Sequence, residues 1–245
     1  MKRIEGLRKI LDNTFQSFNK ESMGTKHLHF ADLFKDFAIQ HQRRLGRRCS
    51  KRPSREKGLL KQLLSRYDLD SDVALLQKAL LDPYIPLGMI VRTLFSDVVG
   101  MRFYINKQRP DLEGALAIEL LGFAHAFLQI RGDIATLFDP ATITCIPLDG
   151  KRHGLPRDQW CRLCGTCCQI GGVPPNPPPG VHYPDRWTVF LSGTSIENQQ
   201  LCPFLFQYFG ESTFFCAIHR IKPVSCRKFD LKDCQKRRVE KNLHA

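Results

Sequence analysis

The sequence predicts an α+β protein with a helical N-terminal half, residues 1–138, followed by a small loop-rich cysteine-cluster metal-binding domain over residues 139–245. Three observations carry that expectation. Apolar residues recur at three- and four-residue spacing through much of the first half, which is the period of an amphipathic helix. Residues 1–135 contain no useful length of strand alternation and no repeat of fixed period. Eight of the ten cysteines lie between Cys161 and Cys234, in a region punctuated by proline and glycine.

In chain order, Ile4, Leu7, Leu11, Phe15 and Phe18 predict a first helix, and Leu28, Phe30, Leu33, Phe34, Phe37 and Ile39 a second with Asp32 and Asp36 on its wet side. A basic segment follows. Residues 43–61 carry nine Lys or Arg against Glu56 alone, whereas residues 62–150 carry seven basic and eleven acidic side chains. The formal charge of +13 is therefore concentrated, and it makes nucleic acid or another acidic partner a candidate for residues 43–61. No aromatic residue lies within that segment, which counts against a base-stacking surface.

Leu59, Leu60, Leu63 and Leu64 resume the helical period. Asp70 or Asp72 is a candidate cap for a helix through Leu75, Leu76, Leu80 and Leu81, which Asp82-Pro83 ends. Residues 87–105 and 112–130 then form two long apolar patterns, a helical hairpin with His125 expected in its core. Neither is a membrane span, since the more apolar one carries Glu113, Glu119, His125 and Gln129. Near Met1 the apolar residues Ile4, Leu7, Ile10 and Leu11 alternate with charged ones, so no export signal is expected and the cytoplasm is the expected compartment.

Past Asp139-Pro140 the texture changes. Thr142 to Ile146 is β-prone, residues 171–184 hold six prolines and three glycines and read as a stiff extended loop over the cysteines, and residues 188–191 and 214–221 are candidate strands. Residues 231–242 read as a basic terminal helix.

Four thiols, Cys161, Cys164, Cys167 and Cys168, occupy eight residues, and Cys202, Cys216, Cys226 and Cys234 follow. In a reducing compartment such a cluster reads as metal ligation before it reads as a disulfide framework. The glycine after Cys164 suits a turn whose backbone N–H groups approach sulfur. Adjacent Cys167 and Cys168, with side chains pointing apart, are expected to divide between two sites. All-thiolate ligation suits Zn²⁺ and an iron-sulfur cluster equally. Cys161, Cys164, Cys167 and Cys202-Pro203 are also similar to the three-plus-one cysteine run of [4Fe-4S] ferredoxins. Cys49, although its basic neighbours would make it reactive if exposed, and Cys145 are expected to be spectators.

The order C-x2-C-x2-C-C at 161–168, Cys202-Pro203-Phe204-Leu205, Cys216-Ala217-Ile218-His219 and Lys222-Pro223-Val224-Ser225-Cys226-Arg227-Lys228-Phe229 resembles the YkgJ-type cysteine-cluster family of zinc- or iron-chelating proteins, over residues 160–229. His219 stands where that family has tyrosine, and Lys222 where it has arginine. The first adds a nitrogen that competes as a ligand; the more ordinary reading is a histidine beside the ligands. A weaker similarity joins the same cluster to flagellin lysine N-methylases. The resemblance implies chelation by the matching cysteines, and Cys234, eight residues beyond Cys226, joins them.

The expected function is a redox or metal-handling component working with a protein partner or electron donor. The competing expectation is a structural-zinc module that presents its basic arm. The sequence contains no G-x-G-x-x-G, Walker loop, H-E-x-x-H or G-x-S-x-G, so any enzymatic chemistry would belong to the bound cofactor.

Overall fold

A computed structural model describes residues 28–47, 58, 60–61, 73–91, 93, 112–139, 143–144, 163–169, 171–196, 199, 201–229, 232–234 and 236. Among the described residues helices dominate, with one small two-stranded antiparallel sheet. The expected first helix, over Ile4 to Phe18, lies outside the described residues, as do Asp70, Asp72 and most of the basic segment. Among the described residues no helix is long and apolar enough to cross a membrane. The chain divides into two compact units, residues 1–125 with 209–212, and residues 126–208 with 213–245.

In the first unit, α1 (Leu28–Arg47) buries Phe34, Phe37, Ala38, His41 and Gln42, an i, i+3, i+4, i+7, i+8 stripe, and leaves Asp36 exposed. It continues past the expected Ile39 to Arg47, since arginine and glutamine are good helix formers. The His41 ring stacks on Phe37 with centroids 5.7 Å apart. Helix α2 (Val73–Leu80) buries Leu76, Ala79 and Leu80 and ends where expected: Asp82 Oδ1 accepts the Tyr84 N–H at 2.8 Å, and Pro83 cannot continue a helix. Residues 87–91 are helical again, with Met89 and Ile90 both donating to the Pro86 carbonyl at 2.9 Å. Phe209 belongs to this unit and meets Tyr84 edge-on at 5.1 Å.

Helix α3 (Leu112–Leu137) is one continuous helix whose residues from Ala126 onward group with the second unit. Leu120, Phe123, Ala124, Phe127, Ile130 and Ile134 are buried along it. His125 is exposed rather than in the core, because it falls opposite that stripe, on the side of Gly132 and Thr136.

The second unit packs around Trp187, fully buried, whose ring lies 5.1 Å from Phe138 and 5.0 Å from Phe204. Asp133 of α3 accepts the Trp187 indole N–H at 2.7 Å and takes both arms of the Arg186 guanidinium, so the buried carboxylate is satisfied. Trp187 lies on α4 (Asp185–Ser192), where the sequence predicted a strand. The helix prevails because Trp187, Phe190 and Leu191 are buried at i, i+3 and i+4, a spacing that outweighs the β-branched Thr188 and Val189. Gly193 closes it at φ +79°, and a Cβ there would stand 1.9 Å from the Gly171 carbonyl. Only glycine fits. Strand β1 (Leu205–Gln207) pairs with β2 (Phe214–Cys216) in the register Leu205 to Cys216, Phe206 to Phe215 and Gln207 to Phe214. The strand expected to reach Ile221 stops at Cys216, because a turn and a 3₁₀ segment, His219–Ile221, bend the chain away. Ile143, in the β-prone stretch, is helical, and so are Lys232, Asp233, Cys234 and Lys236 near the C-terminus.

Candidate metal centre

The cysteines reach their places on irregular backbone held by a few long-range bonds. Leu163 is buried at φ +53°, an uncommon conformation for a branched residue, and its carbonyl accepts the Phe214 N–H at 2.6 Å. Gly165, at φ +72°, then opens the 3₁₀ turn Thr166–Cys168, with the Cys168 N–H donating back to the Gly165 carbonyl at 3.0 Å. The glycine therefore supplies a left-handed turn, a conformation that costs it nothing. The turn brings the Cys167 and Cys168 sulfurs to 3.9 Å. They do not point apart as expected, because a 3₁₀ turn, unlike a strand, does not alternate its side chains.

Cys202 is tied to this turn through its backbone, its N–H donating to the Cys168 carbonyl at 2.9 Å. Its carbonyl accepts the Leu205 N–H at 3.0 Å and so sets the start of β1. Opposite Leu205, at the end of β2, stands Cys216. Cys226 lies on the single-turn α5 (Val224–Arg227), which begins after Pro223. Four separate segments thus deliver Cys167, Cys168, Cys202, Cys216 and Cys226.

These thiols lie close enough to shift one another's proton affinity. Cys168 is pushed well above the usual thiol range, first by hydrogen bonding with Cys167, then with Cys202, and by burial. Cys202 moves down, because it accepts that hydrogen bond from Cys168. Burial raises Cys216 well up, with the charge of Cys202 adding to it. Burial also pushes Cys226 up to about 11, reinforced by the charges of Cys202 and Cys167. Clustered thiols raise one another when no cation shares the site, and a bound cation reverses the sign.

The other predicted residues are placed differently. Cys164 contacts the Thr166 hydroxyl at 3.2 Å, and Cys234 is half-buried on the helical residues near the C-terminus. His219 starts the 3₁₀ segment beyond β2, half-buried. Cys161, Cys49 and Cys145 lie outside the described residues, and the seven described cysteines form no disulfide.

Soft thiol donors suit Zn²⁺ or an iron-sulfur cluster, and the 3.9 Å sulfur separation is close to the value of about 3.8 Å that two thiolates adopt on one tetrahedral zinc ion. The donor chemistry fits. Among the described residues, however, no three or more His, Cys, Asp or Glu close around a single point tightly enough to hold an ion. The described thiols form a neighbourhood, without a finished coordination shell.

Sequence reasoning missed two neighbours of the thiols, Thr166 and Tyr183, and misassigned the partners of a third. Thr166 touches the Cys164 sulfur. Tyr183 donates to the Ile221 carbonyl, and its hydroxyl is pushed up by burial and then by the charges of Cys216 and Cys226. The sequence offers Arg227, beside Cys226, as a donor to the sulfurs or a partner of Asp230 or Asp233; it donates instead to the carbonyls of Arg220 and, at 3.3 Å, Lys222. Only Arg227, next to a cysteine, carried any signal in the sequence. The proline-rich segment crosses this region as anticipated, its Asn176 carbonyl accepting the Val224 N–H at 2.9 Å and its Pro174 carbonyl the Ser225 hydroxyl at 3.2 Å. Compared with family models, with curated proteins and with solved structures, the chain matches none of them.

Proposed function

We propose that the chain is a metal-binding protein of the YkgJ type, with Cys161, Cys164, Cys167, Cys168, Cys202, Cys216, Cys226 and Cys234 holding an iron-sulfur cluster or Zn²⁺. Its role is that of a redox or metal-handling component. One observation carries the reading: four chain segments, joined by backbone hydrogen bonds and a short sheet, gather Cys167, Cys168, Cys202, Cys216 and Cys226 into mutual electrostatic range. Packing alone gives no reason to assemble thiols that raise one another's proton affinity. A cation does, since it stabilises the thiolates that otherwise repel.

When bound, an iron-sulfur cluster supplies one-electron chemistry, and Zn²⁺ supplies a coordinated scaffold. The protein's own part is to orient the sulfurs and limit water. Phe204, Phe206, Phe214 and Phe215 are buried around β1 and β2, where they lower the local dielectric beside Cys202 and Cys216.

Anaerobic purification followed by elemental analysis and visible absorption tests the reading. Iron with acid-labile sulfide and thiolate-to-iron bands supports the redox form. Colourless protein with about two zinc ions per chain favours the structural-zinc form, as two four-thiolate sites require. Protein that takes up neither metal under reducing conditions overturns the proposal. A serine scan of the ten cysteines then ranks the ligands: Cys164→Ser should lose more metal than Cys49→Ser or Cys145→Ser.

A further inference from the structure

Between Cys216 and Cys226 runs a connector, residues 217–225, whose backbone would be poorly satisfied by itself. Its 3₁₀ segment His219–Ile221 is a single turn, which leaves its last carbonyls without helical donors, and Pro223 has no N–H to offer. Three successive carbonyls in this connector nevertheless have donors. Arg227 Nη2 takes Arg220 O, Tyr183 OH takes Ile221 O, and Arg227 Nε takes Lys222 O at 3.3 Å. The two side chains come from opposite directions in the sequence, Tyr183 from the end of the proline-rich segment and Arg227 from beside Cys226.

An exposed arginine normally keeps its guanidinium in water, because holding it in one geometry costs side-chain entropy. Arg227 instead folds back over its own connector, and its planar fork spans two carbonyls that a lysine could not reach together. Tyr183 is held from its other side by Trp187, ring centroids 5.7 Å apart, which fixes the direction of its hydroxyl. The proline-rich segment adds the bonds from Val224 N to Asn176 O and from Ser225 Oγ to Pro174 O. Cys216 is meanwhile fixed by its pairing with Leu205. One thiol is held by the sheet; the other is held by the clasp.

We infer that Tyr183 and Arg227 are positioning residues that fix the approach of the Cys226 thiol to Cys216, preorganising this pair for a thiophilic metal ion. The inference rests on the thiolate-metal reading proposed above. Neither side chain is offered as a ligand. Groups that orient ligands in this way typically contribute about 10- to 100-fold in metal affinity.

The test uses the full-length, reduced, metal-free protein and Co²⁺ as the probe, titrated anaerobically and followed by the thiolate-to-cobalt charge-transfer band, with a competing chelator to set the affinity. Arg227→Met should weaken Co²⁺ binding about 10- to 100-fold, and Tyr183→Phe, which removes one hydroxyl, about 10-fold. Arg227→Lys should recover part of the loss, because an ammonium group reaches one carbonyl but not two. At saturating Co²⁺ the band should return to the wild-type intensity per ion in every variant, since all the thiols remain. Wild-type affinity in both Tyr183→Phe and Arg227→Met overturns the inference while leaving the metal reading intact. Absence of a thiolate band in the wild-type protein removes the metal reading and the inference with it. Should Arg227→Met fail to fold, Tyr183→Phe decides alone.

Discussion

In the helical unit, Phe34, Phe37 and Ala38 of α1 and Leu76, Ala79 and Leu80 of α2 are buried at helical spacing, so local sequence and burial agree residue by residue. Around the cysteines they do not. Cys164, Cys168, Cys202, Cys216 and Cys226 are each half-buried, and they sit on turns, strand ends and a single helical turn whose placement depends on partners far along the chain. A stripe of aromatic side chains specifies its own structure through a period. A thiol on a turn specifies nothing until something binds it, and metal binding in such a site is folding free energy.

Removing the metal gives the largest expected separation between the two regions. Under the proposed function, a strong chelator should loosen the environment of Trp187 and lower the unfolding midpoint of the second unit, while most of the far-ultraviolet helical signal persists. For structural zinc the free energy at stake is on the order of 10 kcal/mol, comparable with the whole stability of an ordinary domain. Circular dichroism and tryptophan fluorescence, recorded together during chelation, read the two responses. Simultaneous loss of both signals, or of neither, breaks the contrast.

A smaller effect is expected at Asp133, where the second unit depends on a buried polar group. Asp133→Ala leaves the Trp187 indole N–H and the Arg186 guanidinium without their acceptor. Arg186 is half in water and recovers part of the loss; the buried indole does not. What remains is the buried indole N–H left without an acceptor, a destabilisation of about 2 kcal/mol. Asp133→Asn, which keeps an acceptor oxygen, should lose less. Urea unfolding monitored at Trp187 measures it, and equal stability for Asp133→Ala and wild type would remove this network from the account of the unit.

The same contrast explains what could be read in the sequence. Helices α1, α2 and α3 were legible because apolar spacing is a local signal, and Asp82-Pro83 marked an end because proline acts on its immediate neighbours. Helix α4 was misread as a strand, since the β-branched Thr188 and Val189 masked the shorter helical spacing of Trp187, Phe190 and Leu191 that decides it. The candidate ligands were legible as residue types and spacing. Their grouping was not, because it rests on the Cys202 to Cys168 backbone bond and the Leu205 to Cys216 register, neither of which has a sequence signature. Tyr183 was passed over for the same reason: a side chain that serves a carbonyl 38 residues away resembles any surface tyrosine.

The smallest expected effect lies in the pH dependence of the metal-free protein, and its sign follows from the shifts. Cys226 is raised in the folded protein from 9.0 to about 11, and Cys216 and Tyr183 are raised as well, each chiefly by burial. Between the two Cys226 values the folded chain keeps a proton that the unfolded chain has released. Stability therefore falls as pH rises through that window, having been fully present below the unfolded value. Cys202, lowered by its hydrogen bond from Cys168, works in the opposite sense, and Lys222 moderates the rise at Cys226. Three raised groups, together with Cys168, outweigh one lowered group, so the net slope is negative. With metal bound the thiols are already ionised and most of that slope should vanish. Urea melts of metal-free and metal-loaded protein, from about pH 8 to about pH 11, compare the two slopes directly. Cys226→Ser should flatten the metal-free curve in part, while a metal-free stability that is level or rising with pH would mean that the folded thiols are better solvated than their burial implies.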